Sequence, residues 1–363
     1  MNTFGRTIGL TIFGESHGLS IGAVLDGLPS GEAIDWDAVR AEMARRAPGK
    51  NKMSTARSEK DAFEVQSGFF NGHTTGTPLC AIIRNSDQHS RDYDQLRHII
   101  RPGHADYSGK IRYGGFNDYR GGGHFSGRLT APLVFAGAVA SQILARHGIT
   151  IGSHILRLAG IADKPFDAAG ETAETLQALK KETLPVLDKA QAGPMEEKIL
   201  EAKNDLDSVG GVIECMVTGL PAGIGDPFFD SVESQLSHMM FSVPAVKGIE
   251  FGDGFALADL RGSQANDAFY YDGDAVKTRT NHNGGINGGI TNGMPVVFRL
   301  AVKPTASISQ KQETIDTDTK ENCDLVIKGR HDPCIVQRAI PVVEAAAAWA
   351  ILDVCLSEKG RCW

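Results

Sequence analysis

The chain has 363 residues, of which 41% are hydrophobic and 22% are charged, and its formal net charge is −7. This composition is typical of a globular protein with a sizeable core, and the acidic balance argues against nucleic acid as a bulk partner. No apolar run reaches the length that spans a membrane, and the first residues lack a signal-peptide pattern. We therefore expect a soluble, cytoplasmic protein that binds neither nucleic acid nor a membrane, with its six cysteines reduced.

The first hundred residues are predicted to form short strands and one helix. Apolar runs at 8–13 and 21–25 predict two strands around a turn that holds His17 beside glycines. Asp35 is predicted to cap a helix that runs through Arg46. Alternating residues at 63–69 and an apolar run at 79–83 predict two further strands.

A basic cluster follows the predicted helix. Most such runs are solvated surface, and the alternative is a rim that attracts a polyanionic ligand. The cluster consists of Arg45, Arg46, Lys50, Lys52 and Arg57. Residues 84–100 are polar, but the spacing of Asp87, His89 and Asp92 matches no metal site, and none is predicted.

The segment 101–128 holds eight glycines, two histidines and several arginines, with few residues suited to a core. Glycine lets a backbone approach a ligand closely, and arginine offers a planar fork that matches phosphate and carboxylate. His104 and His124 carry the side chains that titrate near neutral pH. A disordered linker is the alternative, but the aromatic residues within the segment and the helix after it favour a small anionic ligand.

Two long helices are predicted from small apolar residues at helical spacing. Thr130 is expected to cap the first, which ends before Gly148, and the second is expected to begin near Pro341 and to run to Gly360. Each follows a loop rich in glycine, arginine and histidine, which suggests an internal duplication with two halves meeting at one pocket. Residues 165–208 are predicted to form a peripheral helical insertion. The element order and the missing GxGxxG motif favour an α+β fold over a Rossmann sheet.

Motifs along nearly the whole chain resemble those of the chorismate synthase family. They are FGESHG at 13–18, DGLPSG at 26–31, RAPG at 46–49, TTGTP at 74–78, RPGHAD at 101–106, DYRGGG at 118–123, GLPAGIGDPFFD at 219–230, AVKGIEFGDGF at 245–255, NHNGGINGG at 281–289, KPTAS at 303–307 and GRHDPC at 329–334. The resemblance implies an α+β fold with central helices sandwiched between antiparallel sheets and a pseudo-twofold duplication. It further implies one domain over 1–363 and a homotetramer.

The same resemblance implies a lyase that converts 5-enolpyruvylshikimate 3-phosphate to chorismate and phosphate by anti-1,4-elimination. It implies reduced FMN as cofactor without net redox change, and NADPH as a source of reductant. So much negative charge on one substrate needs a cage of arginines. The candidates are Arg46, Arg101, Arg128 and Arg330, with Arg120 and Arg338 as further members, and Arg46 also matches a nicotinamide-binding position.

Individual roles also come from the resemblance. His17 would protonate the leaving phosphate and His104 would act on the reduced flavin, although the two roles can be exchanged. Asp332 would lie near the flavin, and its alternative is a turn-forming residue before Pro333. The implied FMN contacts are His124, Phe125, Ser126, Pro244, Ala245, Gly288, Lys303, Pro304, Thr305, Ala306, Ser307 and Arg330.

The chain departs from the family pattern at two places. Many members carry Arg-Ser-Ser after the three glycines, where this chain has His124-Phe125-Ser126. Ala47, Lys52 and Ser58 stand where many members have further arginines. These departures put FMN affinity and nicotinamide binding in question, whereas both key histidines are retained.

Two other classes stay open from the sequence. A module that binds phosphate or RNA without catalysis would account for the Gly/Arg segment but not for the paired histidines. A flavin oxidoreductase with net electron transfer would account for FMN but not for the arginine cage. Electrophoretic binding to RNA would support the first class, and net flavin oxidation during turnover would support the second.

Overall fold

A computed structural model describes residues 2–49, 52–53, 61–85, 96–327 and 331–358. Several residues named above lie outside these described ranges. They are Lys50, Arg57, Ser58, Asp87, His89, Asp92, Arg330, Gly360 and Cys362.

The first sheet has five antiparallel strands, in the order β1-β2-β3-β7-β4. Two further short strands, β5 and β6, form a small ladder beside it. The bounds are β1 Thr3–Phe4, β2 Gly9–Gly14, β3 Ser20–Asp26, β4 Phe63–Ser67, β5 Phe69–Phe70, β6 His73–Thr74 and β7 Leu79–Arg84. The strands predicted at 8–13, 21–25 and 79–83 are confirmed within a residue or two, and the run 63–69 is divided between β4 and β5.

The second sheet also has five antiparallel strands, in the order β11-β16-β10-β8-β9. Its strands are β8 Thr150–Leu158, β9 Ile161–Ala162, β10 Gly211–Thr218, β11 Val246–Phe251 and β16 Val296–Val302. Three hairpins lie outside the two sheets. They are β12 Phe269–Asp272 with β13 Ala275–Thr278, β14 Ile286–Asn287 with β15 Ile290–Thr291, and β17 Gln312–Asp316 with β18 Glu321–Leu325.

The long helices lie between the two sheets. The helices of the described ranges are α1 Trp36–Arg46, α2 Asp106–Arg112, α3 Thr130–Arg146, α4 Ala173–Leu179, α5 Ala192–Asn204, α6 Val232–Met240, α7 Gly262–Ala265 and α8 Val336–Ser357. Helix α3 packs on β2, β3 and β7 of the first sheet, and α8 packs on β8 and β10 of the second. The predicted α+β fold, with central helices between antiparallel sheets, is therefore confirmed.

Small residues bring α3 and α8 together at the centre of the fold. A Cβ atom on Gly137 of α3 would lie 2.2 Å from the Cα and 2.4 Å from the carbonyl oxygen of Ala345 in α8. Residues 345–348 of α8 are all alanine and all buried. Backbones can approach this closely only where side chains are absent or minimal.

Two helical stretches are long and apolar enough to cross a membrane, contrary to the expectation from the sequence. They are Gly127–Arg146 and Val336–Ser357, and 83% and 94% of their most apolar windows are buried inside the fold. Burial between two sheets on all sides accounts for helices that are apolar all round.

Two local predictions need correction. Thr130 does not cap α3, because its hydroxyl donates to the carbonyl of Gly127 at 2.7 Å, and Ser126 instead accepts from the backbone N–H of Arg128. Helix α8 begins at Val336 and carries Pro341 in its interior. A short helix, α2, lies within the glycine-rich segment.

Helices α4 and α5 fall inside 165–208, and a peripheral insertion over that range stays a prediction. A single domain over 1–363 stays a prediction, and the hydrophobic core that extends from Ile8 to Leu356 supports it. The chain up to the end of α3 contributes the first five-stranded sheet and one central helix, and the rest of the chain contributes the second sheet and α8. The internal duplication stays a prediction, which this similarity between the two halves supports.

A buried histidine ties the insertion to the second sheet. His154 in β8 contacts Asp163 through Nδ1 at 3.0 Å and Glu214 in β10 through Nε2 at 2.9 Å. Asp163 also accepts the backbone N–H groups of Leu187 and Asp188. Burial alone would lower the pKa of His154, but its hydrogen bonds to the two carboxylates and their charges outweigh burial and raise it. Both ring nitrogens donate only in the imidazolium form.

Replacing Gly137 by Ala should destabilise the protein by about 3 kcal/mol, the upper part of the range for overpacking a core. The methyl group would meet the backbone of α8, which cannot rotate away. Gly193→Ala in α5 is the matched control, because its Cβ meets nothing within 4 Å and alanine should add roughly 0.5–1 kcal/mol. Chemical unfolding measures both, and a Gly137→Ala protein as stable as the wild type would contradict the close contact.

The His154 network should make stability depend on pH. A raised pKa in the folded state means that its contribution is complete below about pH 6.5, the usual value for histidine, and is lost as pH rises through the raised value. His154→Gln should lower the free energy of unfolding by about 3–5 kcal/mol on the acidic side of that window. The difference from the wild type should shrink at alkaline pH. Urea unfolding across pH tests this against His73→Gln, an exposed residue of β6, and a pH-independent difference would argue against the charged network.

Candidate active site

The loops that precede α3 and α8 both line a cavity of about 750 Å³. Segments 238–246 and 303–307 also line the cavity. Of the residues predicted from the sequence, the lining includes Arg46, Arg101, His104, His124, Phe125, Ser126, Arg128, Pro244, Ala245, Lys303, Pro304, Thr305, Ala306, Ser307 and Asp332, together with Arg338. The fold thus brings most of the predicted site residues to one place.

Three of the predicted residues that the structure describes do not line this cavity. His17 is buried behind Gly121, which is part of the lining. Gly288 lies in the turn between β14 and β15. Arg120 pairs with Asp118 at 2.7 Å, and Arg330 is outside the described residues.

A turn of three glycines lies between the rings of His17 and His104. Gly121, Gly122 and Gly123 have φ values of 60°, 94° and 53°, a backbone region that favours glycine. A Cβ on Gly121 would lie 2.1 Å from Cε1 of His17, and one on Gly122 would lie 3.2 Å from Nε2 of His104. The glycines are therefore required both by the turn and by the rings that pack against it.

The hydrogen bonds of Ser16 orient the ring of His17. The Ser16 hydroxyl donates to the carbonyl of Arg120 at 3.2 Å and lies 3.1 Å from Nδ1 of His17. A hydroxyl has one proton to donate, so Nδ1–H of His17 donates to Ser16 Oγ. The neutral ring of His17 therefore carries its proton on Nδ1.

Two of the predicted arginines share one buried carboxylate. Oδ2 of Asp61 accepts from Nε and Nη2 of Arg46 at 3.0 and 2.6 Å, and Oδ1 accepts from Nη1 of Arg128. Arg46 also donates to Thr130, and Arg128 donates to Asn85 at 3.1 Å. Burial by itself would raise the pKa of Asp61, but the two arginines outweigh it and hold that pKa below its usual value. Asp61 is therefore ionised and neutralises part of the positive charge of the site.

A second carboxylate holds Arg101 and His104. Asp106 accepts from Nε and Nη2 of Arg101, both at 2.7 Å, and its Oδ1 lies 2.6 Å from Nδ1 of His104. Burial would raise the pKa of Asp106, but the hydrogen bonds from Arg101 and His104 lower it well below its usual range. Arg101 also reaches Ser307 at 3.3 Å, which connects this pair to the 303–307 segment.

The loop before α8 supplies a third acid–arginine pair. Arg338 donates to Asp332 through Nη1, and its Nε donates to the carbonyl of Arg46 at 3.2 Å. Beside them, burial and then the charge of Arg101 lower the pKa of His331. His331 therefore stays neutral at physiological pH, and it lines the cavity together with His104, His124 and His238.

The departure at 124–125 has a local structural explanation. Nδ1 of His124 lies 2.8 Å from the carbonyl of Gly14, so this nitrogen carries a proton and donates. The ring of Phe125 packs against Gly109 of α2, where an added Cβ would lie only 2.6 Å from Cε2 of the ring. His124 thus links the loop to the first sheet, and Phe125 links it to α2.

The residues of this cavity fit an anionic aromatic cofactor such as FMN. Thr305 Oγ1 and His331 Nε2 are buried polar atoms of the lining that have no hydrogen-bond partner within the described part of the chain. Buried polar atoms normally have partners, so both are available to a bound molecule. Lys303 and Arg101 add positive charge, and Leu133, Val243 and Val246 add apolar surface.

Three residues of the site were missed from the sequence. Asp106 stands in the RPGHAD motif, which was a signal that could have been used. His331 stands in GRHDPC beside the predicted Asp332. Asp61 gave no signal, because its partners are 15 and 67 positions away.

Comparisons with known proteins agree on one family. The family model described as chorismate synthase matches residues 8–356. A chorismate synthase of Chitinophaga pinensis is 46% identical over 360 residues, which cover 99% of this chain and 98% of that protein. A chorismate synthase of Dehalococcoides mccartyi is 45% identical over 355 residues, covering 98% and 96%. A solved structure titled as the crystal structure of chorismate synthase has a TM-score of 0.76 and 29% identity, covering 99% of this chain and 95% of that one.

Gly121→Ala should disable the site, because the methyl group would displace the ring of His17. We expect activity to fall by about 10²–10⁴-fold in a protein that still folds, because a general acid, the role predicted for His17 from the sequence, contributes about that much. Gly115→Ala is the matched control, since Gly115 has a similar φ of 82° but open space around its Cα. An equal loss of activity in both variants would attribute the effect to backbone strain and not to His17.

Proposed function

The chain belongs to the chorismate synthase family, and from that premise we propose how it converts 5-enolpyruvylshikimate 3-phosphate to chorismate. The proposed reaction is an anti-1,4-elimination. The C–O bond to phosphate breaks, a ring C–H bond breaks on the opposite face, and a new carbon–carbon double bond forms. The observation that carries the proposal is that three buried arginines line one cavity with a triglycine turn, against which the rings of His17 and His104 pack.

The arginines favour a substrate with several negative charges. Arg46, Arg101 and Arg128 are each buried and line the cavity. A guanidinium group in a partly dry site binds phosphate and carboxylate more strongly than it would in water. Asp61 and Asp106 already occupy some of these donors, so the substrate anions would compete with two protein carboxylates. We propose Arg330 as a fourth member of this set, by the resemblance alone.

The histidines supply the proton transfers. We propose that His17, as the imidazolium, donates its Nε2 proton to the leaving phosphate while its Nδ1–H stays bonded to Ser16. His104 would hold a proton at Nε2 beside the cofactor, with Nδ1 held by Asp106. Exchange of the two roles stays open. Asp332 would lie near the flavin, and its ion pair with Arg338 keeps its carboxylate in place.

Reduced FMN, when bound, would supply reversible one-electron chemistry, which would allow the elimination of phosphate without net redox change. The residues that would hold FMN are those of 124–126, 244–245 and 303–307. Gly288, which does not line the cavity, would contact only a part of FMN that extends beyond it. NADPH as reductant, with Arg46 as its contact, is part of the proposal, but Arg46 already pairs with Asp61.

We further propose a cytoplasmic homotetramer made of one domain per chain. Large aromatic residues that the fold leaves exposed support an assembly, because a monomer gains nothing from exposing them. Phe228 and Phe229 are 85% and 91% exposed, and Phe269 and Tyr271 on the β12–β13 hairpin are 60% and 79% exposed.

An anaerobic assay with 5-enolpyruvylshikimate 3-phosphate tests the proposal. The purified chain with photoreduced FMN should release chorismate and phosphate in equal amounts, and the flavin spectrum should show no net oxidation. A repeat with oxidised FMN and NADPH decides whether the protein can use NADPH itself. Net flavin oxidation during turnover would point to an oxidoreductase, and absence of any product would overturn the assignment.

His17→Ala and His104→Ala should each lower turnover by about 10²–10⁴-fold while the protein still folds and binds FMN, because each removes a proton donor. Turnover by rapid quench and FMN binding by fluorescence separate the two effects. His147→Ala, at the exposed end of α3, is the control. Wild-type turnover in either site variant would remove that histidine from its proposed role.

A further inference from the structure

We propose that Asp106 is a positioning residue that sets the tautomer of His104, so that Nε2 is the nitrogen that exchanges a proton in the cavity. The inference rests on the proposed function for its catalytic consequence, whereas the tautomer itself can be measured without turnover. Three groups meet at this point, namely the carboxylate of Asp106, the guanidinium of Arg101 and the imidazole of His104.

The distances around Asp106 settle which nitrogen carries the proton. Nδ1 of His104 lies 2.6 Å from Oδ1 of Asp106 and 3.0 Å from Nη2 of Arg101. Nη2 already donates to the same Oδ1 at 2.7 Å. An ionised carboxylate oxygen this close to Nδ1 requires a proton between them, because two lone pairs would repel. Nδ1 therefore carries the proton. Nδ1 and Nη2 both donate to Oδ1 of Asp106, and their closeness to each other follows from this shared acceptor and is not a hydrogen bond.

The other nitrogen faces the triglycine turn. Nε2 of His104 lies 3.2 Å from the position that a Cβ would take on Gly122, and the ring lines the cavity. With Nδ1–H held by Asp106, a neutral ring presents a lone pair at Nε2, and a protonated ring presents Nε2–H. The same nitrogen thus accepts and returns the proton, as a general acid and base requires.

Both carboxylate oxygens of Asp106 are in use, which makes asparagine an informative replacement. Oδ2 accepts from the backbone N–H of Arg101 at 3.0 Å and from its Nε at 2.7 Å. In an Asp106→Asn variant the amide oxygen would keep these two bonds, and the amide NH₂ would then face His104. An NH₂ group donates, so it would favour a lone pair on Nδ1 and move the ring proton to Nε2.

Three measurements test the inference with Asp106→Asn. In protein labelled with ¹⁵N-histidine, assigned by comparison with His104→Ala, neutral His104 should carry its proton on Nδ1 in the wild type and on Nε2 in the variant. The turnover number should fall by about 10²–10⁴-fold, the size of a lost acid or base, with a smaller change in KM. In a His104→Ala background the same substitution should cost no further turnover.

Asp316→Asn is the matched control. Asp316 pairs with Nδ1 of His98 at 2.9 Å in the same manner, but neither residue lines the cavity. This variant should change the tautomer of His98 alone and keep full activity. An unchanged His104 tautomer in Asp106→Asn would overturn the inference. So would an equal loss of turnover in the His104→Ala background, which would mean that Asp106 acts through Arg101. An inactive wild-type enzyme with the expected tautomer would instead count against the proposed function.

Discussion

The close contact between α3 and α8 is the constraint on which the rest of the structure depends. At Gly137 and Ala345 the two backbones leave no room for a further methyl group, so the separation of the helices, and of the sheets on either side of them, is fixed. The glycine-rich loop leads directly into α3 and the 331–335 segment leads into α8. The contact between the helices therefore also sets the distance between the two loops that line the cavity.

Charge is the second constraint, because the cavity wall contains several buried arginines. Arg46 and Arg128 share Asp61, and Arg101 is held by Asp106. A buried guanidinium without a counter-ion would be strongly destabilising. Asp61 and Asp106 therefore stabilise the fold as counter-ions of the buried arginines. They also reduce the positive potential that an anionic ligand meets. Binding then becomes an exchange of one set of anions for another, which favours ligands that carry several negative charges in the right geometry over a single small anion.

Much of the fold could be predicted from local patterns. The strands at the start of the chain follow alternation and apolar runs, and Asp35 caps a helix that ends at Arg46 as expected. The start of α8 was missed because proline usually marks the first turn of a helix. Pro341 instead lies inside α8, where burial between the sheets stabilises the helix. Packing outweighs local propensity at such a position.

By itself, the sequence determined the secondary structure near its strong signals, the family and the chemical types gathered in the motifs. Only the tertiary structure decided which groups pair. Asp61 lies far along the chain from Arg128, and no spacing rule connects them. Asp106 is close in sequence to Arg101 and His104, yet its bonds to both depend on the direction of the turn between them. Gly288 belongs to a motif but lies away from the cavity lining. The physical reason is that backbone preference acts over a few neighbouring residues, whereas ion pairing and hydrogen bonding depend on distance in space, which only the folded chain sets.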